Sequence, residues 1–343
     1  MMRRPTRLGL VTLAAMLTIA GAYTAYWHIV AGQIEEGVVS WAQSARADKV
    51  DLYWREIHVT GFPAAFRVEL ETATLRDGAV TPSPEVRAPS ISGTARPWDF
   101  ADWQVSAPDG LTAEIAGAGE RVPAKLSAQS AEGTVSIGPA GRWTAQLSLQ
   151  NPVVEAGPLI RMSTANLSVA LPSKPALEDK DAKLVLAVDA RNVELPAAIG
   201  PLGDRIDEFG FGATIKGVIP KGKLNEALSA WRDAGGAIEL DELHLKWGTL
   251  GATASGTMAL DQELQPSAAF SGAVSGYDQI LIALVQGGQM RATDAGLARI
   301  ALSLLAKPGP DGKPEVKTAF AIRNGQMFLG PAKLGKAPRL SWE

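Results

Sequence analysis

The spacing of hydrophobic and polar positions changes character twice along this chain. Residues 8–30, LGLVTLAAMLTIAGAYTAYWHIV, are apolar and carry no Asp, Glu, Lys or Arg. At about 1.5 Å rise per residue they form a helix roughly 35 Å long, against a bilayer core of about 30 Å. Tyr23, Tyr26 and Trp27 fall in the last third, where an interfacial aromatic belt is expected. His28 follows, where an imidazole reaches headgroups. Over residues 31–47 Ile34, Val38, Trp41 and Ala45 recur at helical spacing, with Gln33, Glu36, Gln43 and Arg46 on the other face. This amphipathic extension is expected to carry the helix out of the bilayer and to rest on a sheet, although Gly32 and Gly37 weaken it as a straight rod.

From Val50 the period becomes two. Val50-Asp51-Leu52-Tyr53-Trp54 and Ile57-His58-Val59 lead into a turn at Gly61-Phe62-Pro63, and Phe66-Arg67-Val68-Glu69-Leu70-Glu71 alternates apolar with charged. Turn clusters then recur roughly every 10–15 residues, as in an all-β chain. They include Thr81-Pro82-Ser83-Pro84, Arg96-Pro97, Pro108-Asp109-Gly110, Gly117-Ala118-Gly119, Gly138-Pro139-Ala140-Gly141, Gly157-Pro158, Pro172-Ser173-Lys174-Pro175 and Leu195-Pro196. Long alternating runs separate them, which predicts an antiparallel meander of unusually long strands. Leu224, Leu228 and Trp231 before Gly235-Gly236 predict a short helix, and 278–286 and 294–306 predict two more. The last has Thr293 as N-cap and Leu297, Ile300, Ala301 and Leu304 on one face. Asn324-Gly325 between alternating runs predicts a hairpin, and 338–343 is expected to be extended.

The expected fold class is mainly β with one N-terminal transmembrane helix. Its long curved antiparallel sheet forms a groove or a half-open, barrel-like shell, with a few covering helices in the C-terminal half. The expected organisation is a cytoplasmic tail (1–7), a transmembrane helix (8–30), the helical extension (31–47), an N-terminal β half (48–220) and a C-terminal β half with helices (221–343), with Pro220 as the seam. Arg3, Arg4 and Arg7 precede the span, while Glu35 and Glu36 are the first charges after it. The positive-inside rule then places the N-terminus in the cytoplasm and the bulk in the periplasm, on a single-pass inner-membrane anchor. A cleaved signal peptide is the competing reading, because Ala20-Gly21-Ala22 has the small-x-small form. Against it, the apolar run exceeds an ordinary h-region of roughly 7–15 residues and continues past that site with Tyr, Trp, Ile and Val.

Composition narrows the chemistry. A net charge of −3 shows no basic stripe of the kind that binds nucleic acid. With no cysteine the chain has no disulfide, thiolate nucleophile or zinc–thiolate site, which suits an oxidising compartment. Gly 35 and Pro 22 lie dispersed at turns, and aromatics make up only 6%, so small-residue strands are expected to form thin, extended sheets. The histidines are His28, His58 and His244, none in a metal-binding cluster, and His58 and His244 are expected on solvent faces. No G-x-S-x-G, Walker or Rossmann motif occurs. The pairs Glu35/Glu36, Glu178/Asp179 and Asp241/Glu242 read as solvated charge, since neighbours on a strand point to opposite faces. No catalytic residue, metal or cofactor is assigned, and no enzymatic activity is expected. The nine tryptophans admit two readings, lining for an apolar groove or ordinary packing. The candidate groove or structural residues are Trp54, Phe62, Pro63, Phe66, Val68, Trp103, Trp143 and Trp247.

Trp54, then Ile57-x-Val59-Thr60-Gly61-Phe62-Pro63-x-x-Phe66-Arg67-Val68 directly behind one anchor, resembles the bacterial envelope family catalogued as domain of unknown function 2125. Gly235-Gly236-Ala237-Ile238-Glu239-Leu240, Trp247-Gly248, Ala254-Ser255-Gly256-Thr257 and Asn324-Gly325-Gln326-Met327-Phe328-Leu329-Gly330-Pro331 are similar too, so the resemblance covers nearly the whole chain. It implies a single-span protein with an extracytoplasmic β-rich domain and no assigned activity. Two functions are consistent with this: binding or transfer of lipid or another apolar ligand along the sheet, or a scaffold role with an envelope protein partner.

Overall fold

The computed structural model describes residues 7–79, 83–115, 123–138, 141–171, 183–220, 223–288, 290–309, 312–330, 332–337, 339, 340 and 342. The expected turns at 117–119 and 172–175, the Glu178/Asp179 pair, nearly all of the 1–7 tail, and parts of the turns at 81–84 and 138–141, of the Gln326–Pro331 match and of the 338–343 segment lie outside them. By internal contacts the chain divides into two units, Met1–Thr134 and Val135–Glu343.

The first unit opens with α1 (Arg7–Ala47), one continuous helix of 41 residues through Gly32 and Gly37. It is long and apolar enough to cross a membrane. Leu13, Met16, Leu17 and Ile19 are exposed, whereas Trp27, Ala31 and Ala42 are buried. Strands β1 (Val50–Tyr53), β2 (Glu56–Thr60), β3 (Phe66–Asp77), β4 (Pro84–Arg96), β5 (Asp99–Ala107), β6 (Leu111–Ile115) and β7 (Ala124–Ala128) follow, and β8 (Ser130–Ile137) crosses the division.

The spine is β3. Its C-terminal half pairs with β1, from Val50↔Asp77 to Tyr53↔Thr74, and its N-terminal half with β2, from Glu56↔Glu71 to Thr60↔Arg67. Trp54 and Arg55 bridge the step opposite Thr72, which has φ 51 and no partner in either ladder. Across the other edge, Glu71↔Ser90 and Ala73↔Ala88 leave Pro89 at the same level, and proline has no N–H to donate. The ladder is interrupted at that level while the register on either side is kept. Strand β4 is shared likewise, its C-terminal half with β5 and its N-terminal half with β6, which continues to β7.

The second unit contains β9 (Trp143–Gln150), β10 (Val153–Glu155), β11 (Leu159–Arg161), β12 (Thr164–Leu171), β13 (Lys183–Glu194), β14 (Arg205–Lys216), β15 (Ala237–Trp247), β16 (Leu250–Leu260), β17 (Pro266–Ser275), β18 (Lys307–Pro308), β19 (Pro314–Arg323), β20 (Gln326–Leu329) and β21 (Ala332–Lys336). Its sheet runs β9, β12, β13, β14, β15, β16, β17, β19, β20, β21, each neighbouring pair antiparallel. Strands β10 and β11 form a side hairpin. Asn324 (φ 51) and Gly325 (φ 66) close the Arg323↔Gln326 hairpin, the two positive angles that a type I′ turn requires.

Helix α2 (Leu224–Asp233) lies between β14 and β15 and buries Ala227, Leu228 and Trp231, whose indole N–H donates to the Lys216 carbonyl at 2.7 Å. Between β17 and β19 come α3 (Tyr277–Gln286), which packs on a 3₁₀ turn at Gly200–Leu202, and α4 (Ala292–Leu305), which packs on α3 and β19. Two details of α4 correct the sequence reading. The N-cap is Arg291, whose extended backbone (φ −77, ψ 148) already starts the helix, so Thr293 lies inside the first turn. Its apolar stripe of Leu297, Ile300 and Leu304 is exposed, Leu304 by 81%, while Ala295 is buried. Pro220 lies between β14 and α2, inside the second unit. Alanine supplies more than half of the buried apolar positions among the described residues, which fits thin sheets of small residues.

Candidate functional site

A short uncharged turn ties the long helix to the first unit. Gly61, at φ +102, accepts the N–H groups of Ala64 and Ala65 at 3.1 and 3.0 Å, and the Phe62–Pro63 peptide bond is cis. A side chain at Gly61 would place its Cβ 2.7 Å from the Ala65 carbonyl oxygen, so glycine is required. The turn carbonyls face α1: the Tyr23 hydroxyl donates to Pro63 and the Trp27 indole N–H to Ala65 at 3.1 Å. The Tyr26 hydroxyl donates to Pro97 between β4 and β5, also at 3.1 Å. Trp27 stacks on Phe66 at 5.1 Å and meets Phe62 edge-on at 5.5 Å, while His28 stacks on Phe62 at 6.1 Å. Trp27, Ala31 and Phe66 form the buried centre, with Val30, Ile34 and Val59 around it.

Beyond this contact a groove of about 450 Å³ lies between α1 and the sheet. Ile34, Val38 and Trp41 form its helix wall, and Val68, Leu70 and Trp103 its sheet wall. Gly37 keeps the helix wall low, since a Cβ there would meet nothing within 4 Å. On the floor, a Cβ at Gly93 would stand 3.4 Å from the Trp103 ring, in ordinary contact, and the Trp103 N–H donates to the Phe100 carbonyl at 3.0 Å. Among the described residues no charged side chain lines the groove. Its size falls within the range of ligand sites, about 300–1,000 Å³, and its walls suit an apolar chain.

Of the residues singled out from sequence, Val68 and Trp103 line this groove, and Phe62, Pro63 and Phe66 form the contact beside it. Trp54 is half-buried at the step between β1 and β2. Trp143 and Trp247 belong to the second unit, outside the groove lining. Trp143 is 46% exposed opposite Leu171, and Trp247 pairs with Leu250, its buried indole N–H without an acceptor among the described residues. The stripe of Ile34, Val38 and Trp41 was legible as an apolar face, but as a docking face rather than one wall of a groove.

Titratable groups gather elsewhere. Ligand atoms of Glu56, His58 and Glu71 lie within 4.8 Å of one another at the surface, and His58 is 3.2 Å from Glu56. The Arg55 guanidinium is hydrogen-bonded to Glu71. This bond, and then the charge attraction, holds the Glu71 carboxyl below its ordinary value and raises Arg55 in return. The cation already at Glu71 disfavours a second one there. In the second unit a register shift between Leu240 and Leu243 makes Asp241 and Glu242 border the same shallow, open depression. Strict strand alternation would have separated them, and a bulge re-aims side chains. Asp241 accepts from the Thr214 hydroxyl at 2.7 Å, and His244 stands 3.8 Å from Glu242 and 3.6 Å from Asp189.

The family described as "Uncharacterized protein conserved in bacteria (DUF2125)" matches residues 27–338. No curated protein and no solved structure matches the chain.

Proposed function

The chain belongs to the DUF2125 family of uncharacterized bacterial proteins, and from that premise we propose that it is a non-catalytic, single-pass protein of the inner membrane that shelters a lipid acyl chain. In this reading α1 crosses the bilayer with its N-terminus in the cytoplasm, and both β units are periplasmic. The observation that carries it is the groove of about 450 Å³ between α1 and the first sheet, whose described lining is uncharged and whose helix wall, starting at Ile34, follows the uncharged run 8–30. Burying methylenes there is favourable by about 0.8 kcal/mol each, so a modest length of chain suffices for binding. The test is photo-crosslinking of the full chain in membranes that contain a photoactivatable phosphatidylethanolamine. Adducts on peptides carrying Trp41 or Trp103 are expected, and adducts confined to the helix before Tyr23 would overturn the reading.

A second reading, a scaffold subunit that binds an envelope protein, is favoured by the exposed Leu297, Ile300 and Leu304 of α4. A cross-linker placed on α4 would then capture one stoichiometric partner, and Leu304→Glu would abolish the capture.

A further inference from the structure

We infer that the turns at 61–65 and 96–99 lie in the outer interface of the bilayer that α1 crosses, so that the first unit is seated on the membrane rather than held away from it. This rests on the reading of α1 as a membrane span.

A core of about 30 Å takes about 20 residues of helix. Counted from Arg7, the last charge before the apolar run, that reaches Trp27. Yet the helix is already tied to the 61–65 turn at Tyr23, whose hydroxyl bonds to Pro63. Residues 8–22 cover roughly 22 Å at about 1.5 Å each, short of the core by about 8 Å. The missing thickness coincides with the stretch where Tyr23, Tyr26 and Trp27 meet the two turns.

From Thr60 to Phe66 the chain carries no charge. Phe62 at one tip is 48% exposed and Trp98 at the other 74%, with Phe100 also exposed beside them. Such rings are poorly placed in water and well placed at headgroup level. Arg96, exposed in the 96–99 turn, can reach phosphates, while Asp99 of the same turn is half-buried and accepts the Ala101 N–H at 3.2 Å.

Unpaired backbone groups are costly in a low-dielectric layer. Here the carbonyls of Pro63, Ala65 and Pro97 accept from Tyr23, Trp27 and Tyr26, and the Ala64 and Ala65 N–H groups are taken by Gly61. The aromatic residues of α1 thus prepare both tips for the interface. The groove, whose helix wall begins at Ile34, then opens just above the lipid headgroups.

The chain has no cysteine, so single labels can be placed cleanly. Full-length Leu17→Cys, Phe62→Cys, Trp98→Cys and Ala79→Cys variants, each carrying a fluorophore, are reconstituted into phosphatidylethanolamine/phosphatidylglycerol vesicles. Quenching by a lipid-borne nitroxide is compared with quenching by aqueous iodide. Labels at 62 and 98 are expected to show at least half the nitroxide quenching found at 17 and to be shielded from iodide, whereas 79 shows the reverse. If 17 is lipid-quenched while 62 and 98 behave like 79, the seating is overturned and the anchor stands. If 17 also behaves like 79, both fall. Trp98 makes no part of the Trp27–Phe66 contact, so its variant decides the matter should Phe62→Cys fail to fold.

Discussion

The rings of Trp27 and Phe66 lie stacked, 5.1 Å between centroids and 12° from parallel, and join the long helix to the first long strand. Trp27 is 4% exposed and Phe66 not at all, so the pair is the centre of the only aromatic core that the helix shares with the sheet among the described residues. Val68, two positions along the same strand face, already lines the groove. The contact therefore sets how far apart the two groove walls stand.

Phe66→Ala is expected to destabilise the first unit by about 3–5 kcal/mol, and Trp27→Ala by a similar amount. The double variant should lose less than the sum, by about 0.5–1.5 kcal/mol, because the stacking is lost only once. Denaturant unfolding of the full chain in micelles, followed by near-ultraviolet circular dichroism, measures the cycle. Strict additivity would contradict a direct energetic coupling.

Gly61→Ala should destabilise more than Gly235→Ala. Both positions have positive φ, +102 and +85, and each substitution carries backbone strain of about 1–3 kcal/mol. Only at Gly61 does the new Cβ also approach a carbonyl oxygen, that of Ala65 at 2.7 Å, whereas at Gly235 it meets nothing within 4 Å. Comparing the two thermal midpoints separates the clash from the strain.

Gly37→Leu tests the groove without breaking the fold. The added side chain points into open space, and replacing a mid-helix glycine gains up to about 1 kcal/mol of helix propensity. Unchanged or raised thermal stability, together with loss of the acyl photo-adduct, is the expected result. Full adduct yield with the groove filled would remove it as the binding site.

Glu71 gives a pH signature. Its folded carboxyl lies below the ordinary value because of the Arg55 hydrogen bond and charge. A group depressed in this way stabilises the fold above its unfolded pKa, and that contribution is lost as the pH falls through the lower, folded value. The pair is exposed, so the effect is small and shrinks with added salt. A carboxyl titration by NMR should give Glu71 a midpoint below the ordinary carboxylate range, and Arg55→Gln should return it to that range.

Periodicity carried most of the local structure. The uncharged run at 8–30 is helical, the alternation from Phe66 to Glu71 is a half-buried strand, and Asn324-Gly325 is a two-residue turn. Each of these depends on neighbours within a few residues. The candidate groove was legible only in part. Val68 and Trp103 stood out as apolar residues on strands, but nothing local separates Trp103, which lines the groove, from Trp143, which lies half-exposed in the other unit. Ile34, Val38 and Trp41 announced an apolar face without saying what would stand opposite.

The amino-acid sequence by itself determined which stretches are helix or strand, which faces are apolar and which turns are tight, because short-range sterics and side-chain period decide those. Tertiary structure alone decided that β1 and β2 share one strand across the step at Thr72, that Gly61–Phe66 grips Trp27, that Asp241 and Glu242 border one depression, and that the stripe of α4 stays uncovered. The reason is that a hydrophobic pattern states that a surface should be covered, while the partner is chosen by the summed pairing, hydrogen bonding and shape of segments far apart in the chain.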